Sequence, residues 1–90
     1  MKLVWSDHAR ADLHRIQAYY LELNPRAAER IWLRIVQRVA DQVSTPLAAP
    51  LERGGPLRRL VITRTPYLVF YLVEGDEFRV EGVTHAAQNI

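Results

Sequence analysis

The stretch from Tyr67 to Val73 carries no charged residue and presents apolar side chains on both faces of the strand that it predicts. Alternate residues of a strand point to opposite sides of its sheet, so Leu68, Phe70 and Leu72 share one face and the tyrosines and valines share the other. Such a strand is typical of a sheet that is covered on both sides. This strand therefore needs a cover on each of its two faces.

Two helices precede this strand. The first follows a short strand over residues 2–5 and has Ser6 as its N-cap. Its apolar residues recur at steps of four and three, at Ala9, Leu13, Ile16, Tyr20 and Leu23. Asn24 and Pro25 end it and start a second helix, whose apolar stripe is Ala28, Ile31, Ile35, Val39 and Val43. Because the connection is so short, we expect an antiparallel helix hairpin.

Three strands complete the domain. Residues 46–56 hold three prolines and two glycines and predict a loop. Strands are predicted over 57–63, 67–74 and 77–84, with Gly75 and Asp76 as a type II′ hairpin turn between the last two. The order strand, helix, helix, three strands predicts one α+β domain over residues 1–90, with the helix hairpin on one face of a small, mostly antiparallel sheet.

The helix hairpin can cover only one face of that sheet, and no third helix is predicted. We therefore expect an apolar patch on the other face, around the strand of residues 67–73. Exposed patches of this kind usually mark an interface, so a partner protein is one candidate cover. The loop of residues 46–56 is the alternative.

Composition restricts the class of protein further. Ninety residues with 49% hydrophobic and 24% charged residues are ordinary for one globular domain. The absence of cysteine excludes disulfides and thiolate metal sites and fits a cytoplasmic location. No signal peptide and no membrane span are expected, because no apolar run approaches about 18 residues.

Arginine is the dominant cation. The net charge is +2, and Lys2 is the single lysine among twelve basic residues. A stripe recurs every four residues along the second helix, at Arg26, Arg30, Arg34 and Arg38. Side chains four apart on a helix are neighbours, so this stripe is either a solvated face or a receptor for an acidic protein segment or a phosphate backbone.

A second basic cluster surrounds the second strand and consists of Arg53, Arg58, Arg59 and Arg64. Arg58 and Arg59 point to opposite faces of the sheet, so only one of them shares a face with the helices. Basic residues beside exposed aromatic rings, here Tyr67 and Tyr71, would suit nucleic acid.

The histidines predict no metal site. His8 and His14 are six residues apart on one helix, whereas a helical metal pair needs a spacing of about three or four. His85 follows the last strand, where it is either a hydrogen-bonded strand-end residue or a general acid or base. No cofactor motif is present either.

The whole chain resembles the RelE/ParE superfamily of bacterial toxins from type II toxin–antitoxin systems. The matching stretches are "VWSDHARADLHRIQAYY", "NPRAAERI" and "LRRLVITRTPYLVFYLVEGDEFRVEGVTH". The resemblance implies a toxin with a role such as plasmid stabilisation. It would be held inactive in a hetero-oligomeric complex by a cognate antitoxin, ParD-like or other, that is encoded adjacently and has a flexible, often acidic tail.

The superfamily has two mechanisms. The RelE-like branch cleaves mRNA on the ribosome with cationic groups and an acid or base, for which Arg59, Arg64 and His85 are the candidates here. The ParE-like branch is described as inhibiting DNA gyrase by binding. The sequence reads Pro66-Tyr67 where the ribonuclease branch presents an arginine, and "HAAQNI" after the last strand lacks a tyrosine. The resemblance thus favours the ParE-like branch, with a RelE-like endonuclease or an inactive homologue as alternatives. The expected antitoxin- or target-binding residues are Arg30, Arg34, Arg38, Arg58, Arg59, Tyr67 and Tyr71.

Overall fold

A computed structural model describes residues 1–88 and shows two helices packed on a four-stranded sheet. The elements are β1 (Lys2–Trp5), α1 (Asp7–Leu23), α2 (Pro25–Gln42), β2 (Arg58–Val61), β3 (Tyr67–Glu74), β4 (Glu77–His85) and a final 3₁₀ turn (Ala86–Gln88). The strand order is β1-β4-β3-β2, with β1 parallel to β4 and the other pairs antiparallel. The predicted α+β class and element order are confirmed. The last two positions of the predicted domain 1–90 lie outside the described residues.

The helix caps follow the sequence prediction. Ser6 Oγ accepts a hydrogen bond of 3.0 Å from the amide of Ala9, which starts α1. Asn24 Oδ1 accepts from the amides of Arg26 and Ala27 at 3.1 and 3.3 Å, which starts α2. Each cap satisfies amide groups that have no partner within the helix. Ser6 thus sets the start of α1, and Asn24 sets the point at which the helix hairpin folds back.

The core lies between the helix hairpin and one face of the sheet. Its largest fully buried side chains are Tyr71, Phe78, Ile35, Ile62, Val39, Val69 and Val80. The predicted stripe of α2 is confirmed, because Ala28, Ile31, Ile35 and Val39 are buried and Val43 packs against the core. The stripe of α1 holds except at its last member: Leu23, beside the interhelical turn, is 64% exposed.

Strand β3 faces the helices through Tyr67, Val69 and Tyr71, which belong to the core. On its other face Leu68 is buried outside the core cluster, whereas Phe70 and Leu72 are half-buried. This is the face that the helices leave open, but none of these three side chains is exposed, so the apolar patch is smaller than the sequence predicted.

The loop of residues 46–56 does not cover that face. Ala49 is buried in the core on the helix side, and Arg58 donates hydrogen bonds to the carbonyls of Leu47 and Ala49 at 3.1 and 2.8 Å. Leu51 forms an isolated antiparallel bridge with Arg58, and the amide of Arg59 donates to the carbonyl of Pro50 at 2.9 Å. The loop thus extends the sheet at the outer edge of β2, so the alternative in which it folds over the apolar face is wrong.

A buried carboxylate ties α1 to β4. Asp12 is 3% exposed, and its Oδ2 accepts a hydrogen bond of 2.9 Å from the amide of Val83. Oδ1 accepts from the guanidinium of Arg15, and His8 Nε2 lies 3.4 Å from Oδ2. The contact is next to an irregularity in the pairing of β3 with β4, which lies between Phe70 and Tyr71 on β3. A single helical residue therefore satisfies a strand amide that is 71 positions away in the chain.

Three turn residues among residues 1–88 have a left-handed backbone, and one of them is Gly54 of the 46–56 loop, at φ +80°. Gly75 has φ +61°, and Arg64 is the only non-glycine among residues 1–88 with a positive φ, at 64°. Asp76 therefore has a negative φ, which fits the predicted type II′ turn at Gly75 and Asp76 and excludes a type I′ turn. The Arg64 conformation lies in the connection between β2 and β3 and is unfavourable for a side chain that bears a Cβ.

Candidate functional site

The arginine stripe of α2 follows the edge of the sheet. Arg30 is exposed, whereas Arg34 and Arg38 are half-buried beside Ile62 and Thr63 at the end of β2. Arg34 Nε is buried without a hydrogen-bond partner within the described residues. The stripe is therefore not purely a solvated face, because its C-terminal half lies against the sheet.

A cavity of about 380 Å³ lies between α2 and the outer edge of β2. It is lined by Arg38 and Gln42 of α2, residues 48–50, residues 59–61 and Leu68, and we call it the β2 groove. Arg59 Nε at its rim lies 3.3 Å from Glu52 Oε1. The groove thus places two of the predicted binding residues, Arg38 and Arg59, on one surface.

The backbone edge of β2 is only partly used. The amide of Ile62 donates to the carbonyl of Tyr67 at 3.1 Å, so residues 58, 60 and 62 bond to β3. The backbone N–H and C=O groups of residues 59 and 61 therefore point to the opposite edge of β2. There the amide of Arg59 donates to the carbonyl of Pro50. Val61 is 57% exposed, and its amide makes no backbone hydrogen bond on that edge within residues 1–88. The β2 groove therefore contains an open position for one more strand.

Arg58, which is half-buried, and Tyr71, which is buried, both have hydrogen-bond partners within the fold. Arg58 clamps the 46–56 loop as described above. Tyr71 is fully buried; its hydroxyl donates to the carbonyl of Pro46 at 2.6 Å and accepts from Gln42 Nε2 at 3.2 Å. The predicted exposure of Tyr71 is wrong: the residue is buried, and these two partners keep its hydroxyl hydrogen-bonded inside the fold. A binding role for either residue stays a prediction.

The expectation that Tyr67 is exposed is also wrong. Tyr67 is only 7% exposed, because its ring packs between Tyr20 of α1 and His85 of β4. Burial raises the pKa of the Tyr67 hydroxyl above its usual value, and the neighbouring hydroxyls of Tyr20 and Tyr19 raise it further. Tyr67 is therefore a neutral phenol over the ordinary pH range.

Tyr67 belongs to a second cavity, of about 340 Å³, at the end of the sheet where β4 finishes. We call it the tyrosine cavity; it is lined by Arg15, Ile16, Tyr19, Tyr20, Tyr67, Val83 and His85. His85 Nδ1 accepts a hydrogen bond of 3.1 Å from the amide of Ala87, which leaves Nε2 as the protonated nitrogen of the neutral ring. The sequence analysis did not identify Arg15, Tyr19 and Tyr20 as candidate site residues. The signal that could have found them is the pair of adjacent tyrosines at the border of the apolar stripe of α1, where Tyr19 follows Arg15 by four residues and so shares its face.

The three residues proposed for RNA cleavage are not brought together. Arg59 pairs with Phe70 and shares its face of the sheet, away from the helices. His85 lies in register with Tyr67 and shares the tyrosine cavity with side chains of α1, on the helix face. Arg64 is exposed on the turn after β2. No single substrate phosphate could contact all three.

Two kinds of site are not found in the part of the chain that the structure describes. No cluster of three histidine, cysteine, aspartate or glutamate side chains could hold a metal ion among residues 1–88. Nor does any helix within those residues have the length and apolar character to cross a membrane.

Comparisons with known proteins agree on the RelE/ParE superfamily. A family model described as the ParE toxin of the type II toxin–antitoxin system parDE matches residues 3–90. The protein named Toxin RelE2 of Caulobacter vibrioides is 35% identical over 91 residues, which cover 97% of each chain. A solved structure titled the chromosomal ParDE TA system from P. aeruginosa superposes with a TM-score of 0.85 at 27% identity, covering 94% of this chain and 95% of the other.

Proposed function

The chain belongs to the ParE toxin family of type II toxin–antitoxin systems, and we propose that it inhibits DNA gyrase by binding and is neutralised by a cognate antitoxin. The observation that carries this choice is the placement of Arg59 and His85 on opposite faces of the sheet. A nuclease needs its acid, base and phosphate-binding groups within hydrogen-bond reach of one substrate. A binding toxin needs no such constellation. Its action on gyrase would place it in the cytoplasm.

We place the antitoxin at the β2 groove. Its backbone has an open strand position at Val61, and Arg38 and Arg59 line its walls. An extended segment that pairs with this edge would add main-chain hydrogen bonds, and acidic side chains on it would meet the arginines. Arg34, one turn before Arg38 on α2 and beside Ile62, adds a further positive charge next to this edge. The occupant we propose is an acidic, extended tail of an antitoxin encoded next to the toxin, in a hetero-oligomeric complex.

A RelE-like endonuclease is the second candidate. It is favoured by the name of the Caulobacter vibrioides relative, Toxin RelE2. It is also favoured by His85, whose ring stands edge-on to Tyr67 at 5.5 Å between ring centres and presents Nε2 for proton transfer. In this case the tyrosine cavity, without Arg59, would have to supply the catalytic groups.

The two candidates are separated by paired assays on one preparation of the free toxin. Inhibition of gyrase supercoiling without ribosome-dependent mRNA cleavage is expected. His85→Ala should leave the supercoiling inhibition within about twofold, since a toxin that acts by binding needs no general acid or base at this position. Cleavage of mRNA at the ribosome, abolished by His85→Ala, would replace the gyrase proposal with the second candidate.

The antitoxin site is tested by amide hydrogen exchange of the toxin with and without its antitoxin. We expect the amide of Val61 to gain protection, because it would donate to the added strand. The amide of Val69, inside the sheet, serves as the matched internal control. Full complex formation with no added protection at residues 59–61 would move the antitoxin to another surface.

A further inference from the structure

The tyrosine cavity concentrates the aromatic hydroxyls of the chain. Of the four tyrosines of the chain, all but Tyr71 line this cavity. The rings form a continuous series. Tyr19 meets Tyr20 edge-on at 5.1 Å, Tyr20 meets Tyr67 at 6.4 Å, and Tyr67 meets His85 at 5.5 Å between ring centres. The series runs from solvent, where Tyr19 is 61% exposed, to the end of β4.

The polar groups around this series are donors. Arg15 lies four residues before Tyr19, on the same face of α1, and its side chain is 69% exposed while held by Asp12. The Tyr67 hydroxyl stays protonated because burial raises its pKa, and the Nε2–H of His85 is free of the Ala87 contact. The lining of the cavity includes no carboxylate. A ligand that fits these groups is therefore flat and apolar at one end and anionic at the other.

We propose that the tyrosine cavity binds one nucleotide of a single-stranded nucleic acid. The base would stack on the exposed ring of Tyr19, and the phosphate would lie against the guanidinium of Arg15, with the Nε2–H of His85 as a second donor. Stacking on tyrosine tolerates any base, and arginine pairs with phosphate through two parallel hydrogen bonds. The cavity of about 340 Å³ is at the small end of ligand sites and fits one nucleotide rather than a helix of a partner protein.

This site is independent of the proposed antitoxin surface. The β2 groove lies at the outer edge of β2, whereas the tyrosine cavity lies beside α1 and the end of β4. It does not require gyrase to be the target of the toxin, because the same nucleotide chemistry occurs in DNA and in RNA.

The test is fluorescence anisotropy of the full chain with labelled hexathymidylate and, separately, labelled hexauridylate. Tyr19→Ala should weaken binding by about 5- to 150-fold, the cost of one stacked base, and Tyr19→Phe should restore it. Arg15→Gln should lower the slope of log affinity against log salt by about 0.7, the value for one phosphate contact on a single strand. Arg10→Gln, which removes an exposed arginine of the same helix that does not line the cavity, is the matched control and should leave that slope unchanged. The stronger of the two probes identifies DNA or RNA as the source.

The proposal has clear contrary outcomes. It is overturned if neither probe binds, or if both bind with affinities that Tyr19→Ala does not change. If the wild type binds neither oligonucleotide and Tyr19→Ala weakens binding of the antitoxin, the cavity is a site for a protein partner instead. Because Tyr19 is exposed, its alanine variant is expected to keep the melting temperature of the wild type. His85→Gln provides a second variant within the cavity, and nuclear magnetic resonance shifts of the His85 ring on addition of hexathymidylate provide a readout that does not depend on mutation.

Discussion

Replacement of Asp12 by alanine should destabilise the domain, because this carboxylate accepts a buried hydrogen bond that joins α1 to β4. In the wild type the Val83 amide lies 2.9 Å from Asp12 Oδ2, and the variant leaves this buried amide without an acceptor. A hydrogen bond to a charged group contributes about 1.5–3 kcal/mol. The ion pair with Arg15, whose side chain is 69% exposed, adds only about 0.5 kcal/mol. Alanine returns about 0.6 kcal/mol of helix propensity. The net loss in the free energy of unfolding is about 1.5–3 kcal/mol.

That loss is measurable in a domain of this size. An unfolding entropy of about 2.1 cal/mol/K per residue gives about 0.19 kcal/mol/K for the whole chain, so the melting temperature should fall by about 8–16 °C. Urea unfolding followed by the fluorescence of Trp5, which packs against the core, provides the free energy itself. Asp12→Asn should lose roughly half as much, because its amide oxygen can still accept from Val83. Asp41→Ala, an exposed aspartate on α2, is the matched control and should change stability by less than about 0.5 kcal/mol. If Asp12→Ala is no less stable than Asp41→Ala, the bond to β4 contributes nothing and the reasoning fails.

Three further predictions concern the basic stripe, the tyrosine cavity and the strained turn. Reversal of Arg30, Arg34 and Arg38 to glutamate should weaken antitoxin binding by about 1–3 kcal/mol and reduce its salt dependence; unchanged affinity at low salt would return the stripe to a solvated face. The Tyr67 pKa is higher in the folded than in the unfolded chain, so its contribution to stability is fully present below about pH 10 and is lost as the pH rises above that value. In the Tyr67→Phe variant, the free energy of unfolding should therefore fall less steeply with pH between about pH 10 and 11.5 than in the wild type. Equal slopes for the variant and the wild type would contradict burial as the cause of the raised Tyr67 pKa. Arg64→Asn should raise the melting temperature by relieving part of the cost of a positive φ, about 0.5–1 kcal/mol, and a destabilised variant would show that the Arg64 side chain makes a contact of its own.

Local signals in the sequence were sufficient for the elements. The caps at Ser6 and Asn24, the proline at the start of α2 and the glycine of the β3–β4 turn each act within a few residues, so the prediction could identify them. The predicted strands match the observed ones closely for β3 and β4, while β2 is shorter than expected and covers Arg58–Val61. Leu57, before β2, accepts a hydrogen bond from Glu52 of the loop, whereas Ile62, after β2, makes a single backbone hydrogen bond to Tyr67 before the chain turns.

The side of the sheet that each residue faces could not be predicted for β3. Both of its faces are apolar, so the alternating pattern fits either orientation, and the exposure of Tyr67 and Tyr71 was predicted wrongly. The choice depends on long-range polar partners, the Pro46 carbonyl and Gln42 for the Tyr71 hydroxyl. Asp12 was missed for the same reason, because a buried aspartate on a polar stretch of helix is recognised only when its distant strand amide is known.

The face of β3 that the helices leave open is narrower than the sequence suggested. Phe70 and Leu72 pair directly with Arg59 on β2 and Arg79 on β4, so the aliphatic stems of these arginines flank the apolar side chains. Arg59 is held by Glu52, and Arg79 lies 2.9 Å from Glu77.

A partner laid on this face would have to displace or desolvate these ion pairs, and the cost would offset part of the apolar area gained. At the β2 groove the balance is different. The Val61 amide lacks an intramolecular partner within the described residues, and each new main-chain hydrogen bond there is gained without breaking one. Arg59 can also exchange Glu52 for a carboxylate of the incoming segment, which keeps its charge paired throughout. The edge of the sheet, rather than its open face, is therefore where an acidic antitoxin tail gains most.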